Sequence, residues 1–310
     1  MHPEDTKEYT DFIGLQVEEL QSLKFDSNKI LWHYTAGDSL INIIESGVLF
    51  ATQVSCLNDS TEVRYSGGVL LNAIERVHKK EGLNEVVRSF LDRMAAALAD
   101  QPDAPSHAPS PYFVSCFSEK GDDLSQWRAY SGGENGYAIG FRASGLFGAP
   151  NSIVVRVNYD KELHRKIAEQ VAEATVRFFE SGLERNRAES PEKWADEFLV
   201  EWGHRVANLG PLVKDEGFSG EKEYRLVHEL QFREMGSVRF RQKKTLLSRY
   251  LPLSHPQAVA SRAPLLPIAE VKIGPSRHKE LSAVSVRTLL SQFGYGNLSV
   301  TLSEIPFQEP

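Results

Sequence analysis

Cysteine is nearly absent from this sequence: Cys56 and Cys116 are the only two in 310 residues. Two thiols cannot build a disulfide framework or a cysteine-ligated zinc site. Long apolar runs are missing as well, and none approaches the roughly 18 residues that a membrane span requires. The polar, acidic start Met1-His2-Pro3-Glu4-Asp5 lacks the basic and apolar regions of a signal peptide, so the expected compartment is the cytoplasm, with no membrane partner. Net positive charge is lacking too. The formal charge of −7 excludes a protein that coats nucleic acid non-specifically, although it leaves room for a local basic patch.

Familiar catalytic signatures are also missing. There is no phosphate-cradling loop, no His-Glu-x-x-His zinc helix and no Gly-x-Ser-x-Gly elbow. Gly132, Gly133, Gly136 and Gly140 do not have dinucleotide-fingerprint spacing, and they precede a strand instead of opening a helix. The nine histidines show no metal-ligand spacing, so no metal is expected.

What is present is a 41% hydrophobic chain, enough for one large core or two small ones. Residues 1–28 read as an N-terminal amphipathic helix, with Phe12, Leu15, Leu20 and Leu23 as candidate buried positions. A strand follows at Ile30–Tyr34, then a helix with Asp38 as its N-cap, closed at Gly47. Helix is expected over 69–99, interrupted near Gly82, and a surface loop over 101–111, where Pro102, Pro105 and Pro109 forbid helix. Strands are expected at 112–118, 136–141, 153–157, 224–230, 267–273 and 299–305. A helical insertion covers 161–209, and a further helix 281–293. Strands and helices do not alternate strictly, which predicts an α+β chain with a mixed or mostly antiparallel sheet. The single-domain reading spans 1–310.

Three segments carry chemistry. In the first, Trp32-His33-Tyr34-Thr35 leads on to Leu57-Asn58-Asp59; His33 and Thr35 share one strand face and could hold a ribose, or His33 is a structural histidine. The second runs from Ser115-Cys116-Phe117-Ser118-Glu119 to Gln126-Trp127-Arg128-Ala129-Tyr130. Trp127 and Tyr130 share a helix face, to stack on a flat ring or to pack in the core. The third is Glu221-Lys222-Glu223-Tyr224-Arg225. On a strand its two carboxylates would share a face and repel each other, with Arg225 beside them, unless it is a solvated edge. A basic cluster follows, Arg233, Arg239, Arg241, Lys243, Lys244 and Arg249 against Glu234, which is either a solvated face or a contact for an anionic partner.

Taken together and in order, these residues resemble a known family. His33-Tyr34-Thr35 with Gly47-Val48-Leu49 is similar to the opening of ADP-ribosyltransferases of the His-Tyr-Glu type, in particular bacterial toxins that modify nucleic acids. With Leu57-Asn58-Asp59, Cys116-Phe117-Ser118-Glu119, Trp127, Tyr130, Glu221-Lys222-Glu223-Tyr224-Arg225, Ile273-Gly274-Pro275 and Ser303-Glu304-Ile305-Pro306, the pattern also resembles a large bacterial family of unknown function, thought to share that fold.

The resemblance implies an ADP-ribosyltransferase-like split β-sandwich with surrounding helices, NAD as co-substrate in its cleft, and no metal. It assigns catalysis to Glu223, Tyr130 and His33, and cofactor binding to His33, Tyr34, Thr35, Asn58, Ser118, Trp127, Tyr130, Glu221 and Arg225. Tyr130 or Trp127 would stack on nicotinamide, with Tyr34 and Tyr137 as alternatives. Glu223 would hold the 2′-hydroxyl of the nicotinamide ribose and stabilise the oxocarbenium-like transition state. The implied function is transfer of ADP-ribose to a macromolecule, protein or nucleic acid, the latter through Arg239, Arg241, Lys243 and Lys244. The implied setting is a bacterial toxin or anti-phage effector with a cognate antitoxin. NAD glycohydrolysis and non-catalytic nucleotide or ADP-ribose binding are the alternatives.

Overall fold

The computed structural model describes residues 3–21, 26, 28–57, 61–99, 111–131, 136–146, 151–185, 190–242, 246–254 and 266–306. The chain, read above as one domain, divides by its internal contacts into two compact units: Met1–Lys24 with Leu57–Ser110 and Asn158–Phe218, and Phe25–Cys56 with Pro111–Val157 and Ser219–Pro310.

The first unit is helical, with helices at Pro3–Leu20, Thr61–His78, Glu85–Ala99, Lys161–Arg185 and Pro191–Val206. Its breaks follow local chemistry. Gly82 takes a left-handed φ of 86° between the second and third helices, and the Asn84 side chain accepts from the Val87 N–H to open the third. Asp160 does the same for Glu162 and Leu163. The first helix buries Tyr9, Ile13, Gln16 and Leu20. Leu15, expected inside, is 60% exposed, because the buried stripe is phased through Tyr9 and Ile13 and places Leu15 off it. Leu23 and the expected loop at 101–110 lie outside the described residues. Aromatic packing dominates this core: Phe90 stacks on Phe179 at 3.9 Å, Phe198 meets both, and Trp194 donates to the Phe179 carbonyl.

The second unit holds the ten strands found among the described residues: β1 Ile30–Ala36, β2 Val48–Gln53, β3 Tyr112–Ser118, β4 Gly136–Arg142, β5 Ser152–Arg156, β6 Glu223–Glu229, β7 Arg239–Gln242, β8 Leu247–Ser254, β9 Ile268–Ile273 and β10 Ser299–Leu302. The sheet runs β10-β9-β4-β1-β3-β2-β8-β7, with β6 on β3 and β5 on β6; every pair is antiparallel except β9 with β10. The architecture is therefore α+β with a largely antiparallel sheet. Asp38, expected as an N-cap, lies inside the first turn of helix Gly37–Ser46; β1 runs straight into that helix and leaves Ala36 at the cap. Gly47 ends it with φ 64°, its N–H bonded to the Ile43 carbonyl. The strand expected at 299–305 stops at Leu302, where the Ser303 N–H turns to the Ile273 carbonyl. β7 and the start of β8 fall in the basic run whose solvated face reads as strand or loop, since its charges and Pro252 mask any alternation.

One feature of the sheet governs the site. β6 pairs with β3 along its whole length and occupies one edge. The other edge is shared: β1 meets β3 only at Trp32 with Ser118, and β2 only at Thr52 and Gln53 with Val114 and Phe113. Between these ends, over Ser115–Phe117 of β3, β1 and β2 part.

In the helical unit, an added Cβ at Gly182 would lie 1.9 Å from the Trp194 ring, which is 2% exposed and fixed by its hydrogen bond. Gly182→Ala is expected to lower stability by about 1–3 kcal/mol through overpacking, read as the shift in a urea unfolding midpoint.

Candidate functional site

The parting of β1 and β2 across β3 opens a cleft of about 360 Å³, counting the solvent at its mouth. β1 contributes Trp32, His33 and Tyr34, β3 contributes Cys116 and Phe117, and helix Leu124–Tyr130 contributes Gln126 and Tyr130; Glu221 and Glu223 complete the lining. Trp32 and Tyr34 project from one face of β1 and His33 from the other. Lining from both faces is what an opening through the parted strands requires.

His33 spans the gap. Its Nδ1 lies 2.9 Å from the Cys116 carbonyl, which can only accept, so Nδ1 carries the proton and Nε2 of the neutral ring is an acceptor. Burial pushes its pKa down, Arg241 pushes the same way, and the Cys116 carbonyl opposes them. Tyr34 is a clamp: its hydroxyl donates to the Lys120 carbonyl at 2.8 Å and accepts from the Asp123 N–H. Burial pushes the Tyr34 pKa up.

The loop so clamped sets the helix that carries Gln126 and Tyr130. Asp123 caps it at Ser125 and Gln126. Burial alone would raise the Asp123 pKa, but bonds from Lys120 and Ser125 outweigh it and hold it at about 2. Trp127 Nε1 donates to Asp122, which also takes the Ser303 hydroxyl and the Glu304 N–H and so anchors the C-terminal segment. Trp127 is 4% exposed and packs edge-on against Tyr34 at 4.6 Å. It is a pillar under the cleft and does not line it; Tyr130, at the end of the helix, does.

Glu223 opens β6 and is 5% exposed. Arg225 grips it bidentately, Nε to Oε1 at 2.8 Å and the second guanidinium nitrogen to Oε2 at 3.0 Å. The two-carboxylate strand face expected from the sequence does not form. Lys222 takes a left-handed φ of 48°, so Glu221 ends a 3-10 turn and lies outside the strand. Such a conformation in a residue other than glycine costs of order 1–3 kcal/mol and recurs at functional sites. The turn is fixed by the Lys222 carbonyl, which accepts from Glu119, and by Ser118, whose hydroxyl donates to the Glu221 carbonyl.

The structure thus brings His33, Tyr34, Tyr130, Glu221 and Glu223 to one cleft. Ser118 and Arg225 stand behind it, each committed to the Glu221–Glu223 segment. Thr35 is buried on β1, and neither it nor Tyr137 is part of the lining. Asn58, Lys243 and Lys244 lie outside the described residues. Gln126, Asp122 and Asp123 were missed in the sequence, although Asp-Asp before a leucine is a legible capping signal. No group of His, Cys, Asp and Glu able to hold a metal occurs among the described residues, and no described helix is long and apolar enough to cross a membrane.

A family model described as "Protein of unknown function (DUF2971)" matches residues 126–226. That span starts at Gln126 and ends just past the Glu223–Arg225 pair, so it holds most of the helix bearing Tyr130 and the start of β6. No curated protein and no solved structure matches the chain.

Two outcomes follow. Removing one partner of a buried ion pair strands the other charge, so Arg225→Met is expected to cost about 3–5 kcal/mol, and the double variant with Glu223→Met to recover part of that loss, as read by chemical denaturation. For His33, the folded pKa lies below the unfolded value of about 6.5. The unfolded chain then binds the proton first as pH falls, and stability drops from pH ~6.5 down to the folded pKa, with no dependence on this group above that window. His33→Gln should flatten that part of the pH–stability profile; His164, lowered mainly by burial as well, supplies another share.

Proposed function

We propose that the protein is an NAD-dependent ADP-ribosyltransferase acting on a macromolecule, with nucleic acid as the acceptor class. The observation that carries this reading is the Glu223 carboxylate, set in the cleft where the sheet parts and held in one orientation by Arg225. Cleavage of the bond between nicotinamide and the ribose C1′ sends the bonding electrons to nicotinamide and leaves positive charge on the ribose. A carboxylate fixed beforehand stabilises that charge more than it stabilises the ground state, and no reorganisation is needed at the moment of reaction. A carboxylate gripped by arginine can also accept a ribose hydroxyl. The acceptor nucleophile then forms the new bond at C1′.

The other lining groups suit the same ligand. Neutral His33 offers Nε2 to a ribose hydroxyl, and the half-exposed Tyr130 ring offers a face to the nicotinamide. Nucleic acid is favoured as acceptor because Arg239 is exposed on β7, in a segment whose basic charge contrasts with the chain's −7.

Incubating the protein with radiolabelled NAD and bacterial lysate should transfer label to nuclease-sensitive material. Glu223→Gln should lower the rate on the order of 10²-fold or more. Wild-type turnover in that variant would sink the assignment of Glu223. Free ADP-ribose without transfer would make the protein a glycohydrolase, and bound NAD without turnover a binding module.

A further inference from the structure

Two arginines approach this sheet face, and they differ in one respect. Arg225 is buried and its charge is answered by Glu223. Arg241, on β7, is half-buried and its charge has no carboxylate partner among the described residues. One guanidinium nitrogen donates to Thr52 Oγ1 at 2.7 Å, and the plane lies 5.5 Å from the Tyr250 ring. Its Nε is shielded from solvent and has no hydrogen-bond partner. Of five N–H donors, a single one is used among the described residues. A desolvated cation left in this state is unfavourable unless an anion joins it.

Sheet register places that charge on the face of β3 that carries Glu223, beyond the residues that line the cleft itself. Thr52 lies opposite Val114 on β3, and Glu223 lies opposite Ser118, so both project from the same face. The two positions are separated by roughly 13 Å of β3, at about 3.3 Å per residue. Between them lies Cys116, whose carbonyl holds His33. The field of Arg241 also reaches His33, disfavouring its protonation.

We propose that Arg241, steadied by Thr52 and Tyr250, is the phosphate-binding residue of the cleft and takes the diphosphate of a nucleoside-diphosphate sugar. A carboxylate at one end of the site calls for hydroxyl donors, and an unanswered guanidinium at the other calls for an anion. A sugar diphosphate supplies both, and the planar fork of arginine suits phosphate oxygens. The proposal rests on the reading above for the position of the sugar and is independent of any turnover of NAD.

The test is calorimetric titration of wild type, Arg241→Lys and Arg241→Met with ADP-ribose, pyrophosphate, adenosine and a single-stranded oligonucleotide. Because Arg241 is an unanswered charge, Arg241→Met is expected to keep or raise the melting temperature of the free protein, and Arg241→Lys retains the charge should Met prevent folding. ADP-ribose and pyrophosphate should bind wild type and weaken about tenfold or more in Arg241→Met. Arg241→Lys should fall between the two, and adenosine should be indifferent to both changes. Equal affinities for ADP-ribose in wild type and variants, or no binding of ADP-ribose or pyrophosphate to wild type, would overturn the proposal. So would a loss confined to a single-stranded oligonucleotide, which would assign Arg241 to the acceptor. Arg241-dependent binding of ADP-ribose without NAD turnover would sink the transferase reading and keep this one. NAD turnover with an unchanged KM in Arg241→Met would do the reverse.

Discussion

A strand has two edges, and β3 must serve three neighbours with them. β6 takes one edge entirely, so β1 and β2 share the other and diverge along it. The backbone groups left between them have to be satisfied or hydrated, and His33 meets one such need by donating to the Cys116 carbonyl. From that constraint come the opening in the sheet, the mixed lining drawn from both faces of β1, and the neutral state of the histidine at its centre. The rest of the site is built around this gap: Tyr34 clamps the loop after β3, Asp123 caps the helix carrying Tyr130, and Lys222 turns Glu221 out of line so that β6 begins at Glu223.

Electrostatics then sorts the two arginines into different roles. Arg225 orients the Glu223 carboxylate from behind, where a buried pair is tolerated because both partners are hydrogen-bonded. Arg241 extends from a strand two removed from β2 in the pairing order and arrives with its charge unanswered. A carboxylate that is neutralised and an arginine that is not are the two features on which the proposed sugar-diphosphate ligand rests.

Much of this was legible in the sequence, because the strongest signals are local. The apolar run at Ile30–Tyr34, the periodicity of 161–209, the glycines at 47 and 82 and the α+β character all follow from short-range patterning. His33, Tyr130 and Glu223 were singled out together, and the structure lines one cleft with them. Alternation alone misled at Glu221-Lys222-Glu223: nothing in the residue types announces a lysine in the left-handed region, and one such residue takes Glu221 off the strand face. Trp127 and Tyr130 share a helix face, yet which is pillar and which is rim depends on Asp122 and Tyr34, contacts that no spacing encodes. The role proposed for Arg241 was hidden for a similar reason. As one charge in a basic run it read as a solvated face or a nucleic-acid contact, and only the pairing of β7, β8 and β2 carries it over Tyr250 to Thr52.

The most direct test of the central claim is a crystal structure of the protein grown with ADP-ribose. The account predicts ligand density between β1 and β3, a ribose hydroxyl on the Glu223 carboxylate and the diphosphate toward Arg241. Density seated elsewhere on the chain, with the Glu223–Arg225 pair and the cleft untouched at saturating ligand, would contradict it.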